Sequence, residues 1–102
     1  MRIFNVIMLP KAESDLLGII EYLNKFSPAI GGKYYDLIQS KVRSLAKMPL
    51  RQPIVRDERL SRAQVRWTIA KNYTIFFTVD VKNHTVYIER ILYSRMAYDV
   101  LL

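Results

Sequence analysis

With 102 residues, 51% of them hydrophobic, the chain has the length and apolar content of one domain with its own core, and it is too apolar to be a disordered segment. It contains no cysteine, which excludes disulfides, thiolate metal sites and thiol nucleophiles, and no apolar run approaches the roughly 20 residues of a membrane-spanning helix. The net charge of +7 is uneven: residues 51–71 carry six Lys/Arg against two Asp/Glu, residues 1–50 seven against four, and residues 72–102 three of each. So basic a surface attracts polyanions or an acidic protein, or simply keeps the protein soluble.

In chain order, the start MRIFNVIMLPKAE has one basic residue and a short apolar stretch but no small-residue cleavage site. It predicts no secretory signal, and the cytoplasm is the expected compartment. Residues 3–9 predict a strand, which Pro10 stops while opening a helix. From Lys11 to Phe26 the period changes: Ala12, Leu16, Ile19, Ile20, Leu23 and Phe26 share one helical stripe, with Glu13, Glu21 and Lys25 off it. Ser27-Pro28 reads as an N-cap with proline at the first helical position. The second helix is predicted to present Ile30, Tyr34, Leu37, Ile38, Leu45 and Met48 to a core and to end before Pro49. Two helices joined so tightly form a hairpin. Residues 49–63, with two prolines and four arginines, predict a long basic loop.

Three strands follow. In 65–70, Val65, Trp67 and Ile69 alternate with Arg66, Thr68 and Ala70; the expectation is that the first three pack under the helices and the second three face outward. Residues 73–80 alternate Tyr73, Ile75, Phe77 and Val79 with Thr74, Phe76, Thr78 and Asp80. In 85–93, Val86, Ile88 and Leu92 share a face that Arg90 interrupts, and Arg90 is expected to snorkel or to pair with a carboxylate. Residues 96–102 predict a short terminal helix. The predicted class is therefore α+β, β-α-α-β-β-β with an optional final α, in one domain over residues 1–102. A helical hairpin covers one face of a twisted, mostly antiparallel four-stranded sheet.

Several chemistries lack their residues. The single histidine, His84, lies in a turn, so a nucleophile–histidine triad has no support. The nine acids are scattered without metal-ligand spacing, and no Gly-rich phosphate motif occurs. No metal and no cofactor are expected. Arginine and tyrosine remain. Arg51, Arg56, Arg59, Arg62, Arg66 and Lys71 make a basic surface suited to a phosphate backbone. Arg66 and Arg95, with Tyr93 and Tyr98 near the latter, are candidates for charge stabilisation and proton transfer in a metal-independent cleavage of RNA by its own 2′-hydroxyl. Solvated or ion-paired arginines are the plainer alternative for each.

The segments AESDLLGIIEYLNKFSP, LAKMP, NYTIFFTVD and VYIERILYSRMAYDVL together resemble the RelE/ParE superfamily, the toxin halves of bacterial toxin–antitoxin pairs. The resemblance runs over nearly the whole chain in the same element order. It implies an acidic antitoxin partner that wraps the toxin, no membrane and no small-molecule cofactor, and one of two targets: ribosome-bound mRNA, cut by RelE-like members, or DNA gyrase, inhibited by ParE-like ones. RelE-like nucleases place an arginine after the tyrosine of the central strand, where this chain has Thr74 after Tyr73, and lysines in the preceding strand, where it has Arg66 and Thr68. Tyr93 stands where a histidine is often found, Tyr98 lies beyond it, and Arg95 matches the arginine after the last strand. The Arg-Met of YSRM is similar to the ParE-like C-terminal segment. The balance implies a ParE-like gyrase inhibitor, with a RelE-like ribonuclease and a non-toxic nucleic-acid-binding module as alternatives.

Overall fold

The computed structural model describes residues 3–97. Strand β1 (Asn5–Met8) leads through Leu9 into α1 (Pro10–Asn24), whose first turn contains Pro10 and Glu13. Proline there forfeits an N–H that has no helical partner anyway, and the carboxylate faces the positive end of the helix dipole. Ala12 and Leu16 are buried, and Ile19 and Ile20 pack beside them. Phe26, expected on this stripe, is instead 69% exposed, because α1 ends at Asn24 and the chain has already turned.

Ser27 is extended and Pro28 opens α2 (Pro28–Ser44). Ser27 caps through its carbonyl, which accepts the N–H groups of Ile30 and Gly31, and not through its hydroxyl. Gly31 is buried where a Cβ would collide with the Asn24 side chain, so it lets the helices approach at the hairpin's closed end. Ile38, Val42 and Leu45 reach the core, whereas Ile30 and Met48 are exposed. The helix also stops earlier than expected, and Met48 turns left-handed (φ 51°) ahead of a 3-10 turn at Pro49–Arg51.

The presumed long loop contains a second element, α3 (Glu58–Arg62), capped by Asp57, whose carboxylate accepts the N–H groups of Arg59 and Leu60. The Leu60 bond above all holds the Asp57 carboxyl below its ordinary range. Strands β2 (Arg66–Ala70), β3 (Tyr73–Asp80) and β4 (Thr85–Tyr93) follow. The sheet order is β1-β4-β3-β2, with β1 parallel to β4 and the other pairs antiparallel. Between the helical hairpin and this sheet lies the main core, including Ile38, Leu45, Ile75, Phe77, Ile88 and Ile91. Each large side chain buried there contributes about 2 kcal/mol.

The opposite sheet face is not open. Val55, Val65, Phe76 and Ala97 form a second core, with Leu60, Trp67 and Leu92 against it. This reverses the expected orientation of residues 65–70: Trp67 packs in the second core, Ile69 is exposed, and Thr68 and Ala70 are buried, Ala70 in the main core. One extra residue in β4 explains the Arg90 anomaly. Phe76 pairs with Arg90 and Phe77 with Ile88, so Glu89 is a bulge. Beyond it the alternation shifts by one, sending Ile91 to the main core and Leu92 to the other side. Among the described residues no helix is long and apolar enough to cross a membrane.

Candidate functional site

The chemistry-bearing residues gather where β4 ends. Strand β4 outruns its parallel partner, which stops at Met8, so the backbone from Glu89 onward has no strand beside it on that edge. Asp15 of α1 takes its place. Its carboxylate accepts from Arg90 Nε at 2.8 Å, from the same guanidinium's terminal nitrogen at 3.0 Å and from the Ile91 N–H at 2.9 Å. The side-chain bonds to Asp15 raise the Arg90 pKa above its ordinary value, and Arg90 is thereby the carboxylate-paired residue that the sequence allowed.

Past Tyr93 the chain makes a tight turn. Ser94 N–H donates to Asn72 O at 2.7 Å, Met96 N–H to Tyr93 O at 2.9 Å and Ala97 N–H to Ser94 O at 3.1 Å. Ala97 is drawn into the second core, leaving Arg95 and Met96 exposed. Thr74, where nucleases of the superfamily carry an arginine, is fully buried, and its hydroxyl and that of Ser94 share a hydrogen bond at 2.9 Å.

Beside this turn, between α1, α2 and the end of the sheet, opens a cleft of about 690 Å³. Tyr22, Tyr34, Tyr73 and Tyr93 line it with Asp15, and Met96 stands at its rim. Tyr73 is the hub: its ring meets those of Tyr34 and Tyr93 edge-on, each at 5.8 Å. Burial, and next the neighbouring Tyr34, push its phenol pKa up, so Tyr73 stays protonated and is a poor proton acceptor near neutral pH. Among the described residues no lysine or arginine lines the cleft, although the chain carries 16.

The sequence-derived candidates separate. Tyr93 lines the cleft, Arg95 stands two positions further on in the exposed turn without lining it, and Tyr98 lies outside the described residues. Arg66 is elsewhere: it pairs across the sheet in the row of Phe77 and Ile88, whereas Tyr93 sits in the row of Tyr73 and Ala70. Four residues of strand separate the rows, about 13 Å. The Arg66 guanidinium is also committed, donating to Gln52 O at 2.6 Å and Leu50 O at 3.3 Å. In the basic segment Arg59 and Arg62 pair with Asp57 and Glu58, Arg51 approaches the Met48 sulfur, and Arg56 and Lys71 are exposed, Lys71 in the turn beside the cleft. Among the described residues no three His, Asp or Glu side chains converge as a metal site would require. Reading the sequence missed Asp15 and the grouping of Tyr22, Tyr34 and Tyr73; seven tyrosines in the chain were the available signal, but only packing collects them.

A family model described as ParE toxin of type II toxin–antitoxin system, parDE, matches residues 6–98. Among solved structures, a chain of the chromosomal ParDE system from P. aeruginosa is 20% identical with a TM-score of 0.72, the match covering 89% of this chain and 96% of that one. The toxin–antitoxin complex RelBE2 from Mycobacterium tuberculosis contains another, 21% identical with a TM-score of 0.63, covering 91% of this chain and 93% of that one. No curated protein matches. At these identities the structural likeness is one of fold. Fold and matched segment together define the chain as a toxin of the RelE/ParE superfamily. It belongs to the ParE toxin family of type II toxin–antitoxin systems.

Proposed function

We propose that this toxin arrests growth by binding DNA gyrase, and that an acidic antitoxin neutralises it. The observation that carries the binding mode is the tyrosine-lined cleft at the end of β4, free of lysine and arginine among the described residues. Aromatic walls with hydroxyl edges suit a protein surface, where tyrosine supplies contact area at low entropic cost, and they leave a phosphate without a counter-charge. The committed guanidinium of Arg66 and the buried Thr74 support the same reading, because charge stabilisation of an RNA cleavage needs free donors converging on one phosphate. An antitoxin partner is supported by the ParDE and RelBE2 complexes to which the fold is similar, and its acidity by the +7 charge of the chain.

The test is purified toxin in two assays. Loss of supercoiling by gyrase, with ribosome-bound mRNA left intact, is the expected result; efficient mRNA cleavage with normal supercoiling would overturn the reading. The ribonuclease alternative keeps one observation in its favour, the proximity of Tyr93 and exposed Arg95. On that alternative a folded Arg95→Ala protein loses cleavage and toxicity together. On the binding reading it cuts no RNA to begin with, and its effect appears only in gyrase affinity.

A further inference from the structure

Three cations adjoin the tyrosine cleft in sequence, and none of them enters it. Lys71 precedes Asn72, Arg90 precedes Ile91 and Arg95 precedes Met96, and in each pair only the second residue is on the cleft wall. Lys71 and Arg95 stand exposed in turns, while Arg90 lines a different groove, on the second-core side with Leu60 and Phe76. Asp15 holds Arg90 there and itself lines the cleft. The ion pair therefore presents its carboxylate end to the cleft and its guanidinium end away from it. Three other grooves of the molecule each have a lysine or arginine on the wall.

The tyrosines supply the rest of the chemistry. Tyr34 and Tyr93 meet Tyr73 at interplanar angles of 82° and 69°, so the three rings stand as walls and not as a stack. A ring face carries the negative part of the aromatic quadrupole, and rings set nearly at right angles form corners where a cation meets more than one face. Their oxygens are open as well. Among the described residues no hydrogen bond occupies the phenol oxygens of Tyr22, Tyr34, Tyr73 or Tyr93. Those of Tyr34 and Tyr73 still reach solvent, although both residues are largely withdrawn from the surface. A phenol oxygen accepts as well as donates. Carboxylate, ring faces and oxygen acceptors together suit a cation, and a planar one best. A guanidinium stacks on aromatic rings and brings a rigid fork of donors, whereas an ammonium is a compact, strongly hydrated charge.

We propose that the cleft captures an arginine side chain projecting from the gyrase surface, its guanidinium stacked among Tyr34, Tyr73 and Tyr93 with Asp15 as counter-charge. The inference rests on the reading of the cleft as the gyrase-binding surface and names what it takes. At about 690 Å³ the cleft is roomier than one side chain, so the main chain flanking the arginine is admitted with it. An acidic antitoxin fits this cleft poorly. Such a chain is matched to the +7 surface of the toxin, and the cleft is a place from which positive charge is withheld. Gly18 of α1 also lines it, and a Cβ added there meets nothing within 4 Å, so a side chain of chosen charge can be placed at the site without displacing a neighbour.

The test titrates the full chain with N-acetyl-arginine methylamide and follows the tyrosine ring signals by NMR. Millimolar binding is expected, and the neutral isostere N-acetyl-citrulline methylamide should bind about tenfold more weakly or worse. Gly18→Glu, Gly18→Gln and Gly18→Lys put side chains of comparable length at the cleft, in a helix that favours each over glycine, so the fold is kept and the charge differs. Relative to Gly18→Gln, Gly18→Glu should tighten arginine binding by about threefold and Gly18→Lys weaken it by about threefold or more. Inhibition of gyrase supercoiling by the three variants should follow the same order. Citrulline binding as tightly as arginine, or any other order of the three variants towards arginine, would overturn the proposal. Supercoiling inhibited equally by all three would also overturn it, while the gyrase reading stands. A parent toxin that binds arginine as expected but leaves supercoiling untouched would overturn gyrase as the source of the arginine, and with it the reading on which the inference rests.

Discussion

Asp15 shows how one side chain substitutes for a missing strand. Because β4 extends beyond the end of β1, the Ile91 N–H would face a gap; the Asp15 carboxylate fills it and holds Arg90 as well. Asp15→Ala should cost about 2 kcal/mol, since it removes charge-assisted bonds and strands a backbone donor. Arg90→Ala should cost about 1 kcal/mol or less, because Ile91 keeps its acceptor and the guanidinium, 44% exposed, is screened by solvent. Urea unfolding of the two variants checks this, and equal losses would contradict it. Tyr73 provides a pH signature. Its folded pKa lies above the ordinary value of 10.0, so above that pH the unfolded chain releases this proton more readily than the folded one. The contribution is therefore fully present below about pH 10 and lost as pH rises through the folded pKa. Tyr73→Phe should remove this part of the alkaline loss, measured as the change in urea midpoint between about pH 8 and pH 11.

Among the elements, the β2–β3 hairpin carries visible strain. Lys71 occupies the first position of its two-residue turn with φ 55°, a conformation that glycine adopts freely and that costs other residues about 1–2 kcal/mol. Lys71 is exposed, so Lys71→Gly forfeits no packing and should raise stability by about 1 kcal/mol, read as a shift in the urea midpoint. The same two-residue connection was plain in the sequence, as were the helical hairpin and the alternation of 73–80, because Pro10, Pro28 and Pro49 punctuate strong periods. Helix α3 was not plain. Five residues among arginines and prolines show no apolar stripe, and what starts the helix is the Asp57 cap, a signal that the same residue gives in any turn.

For the whole molecule, the decisive feature is that the sheet is buried on both sides. Strand β3 runs through the middle, giving Ile75 and Phe77 to the main core and Phe76 to the second. Phe76→Ala should destabilise the protein by about 3 kcal/mol and loosen what the second core holds down. Trypsin should then cut after Arg56 and Arg59 sooner than in the parent, while β4 remains intact in the early digest. An unchanged digest would mean that the second core does not anchor the segment. The basic stretch is thus part of the packed structure, which explains why charge density alone made it look like an open binding loop.

The order of elements, the strand and helix periods, the basic charge and the collinear superfamily segments are properties of neighbouring residues, and the sequence determined them by itself. It also indicated that Tyr93 and Arg95 would share the end of the last strand, since two positions separate them. Which side of 65–70 meets the helices was beyond it: alternation says which residues share a face, but when both faces are buried it does not say which face packs on what. The Glu89 bulge reverses the alternation with a single residue that no periodicity announces. The tyrosine cleft joins residues 22, 34, 73 and 93, and the Asp15–Arg90 clamp joins residues 75 apart. Tertiary structure alone decided these, because such contacts depend on how the hairpin lies across the sheet, and local sequence carries no term for that angle.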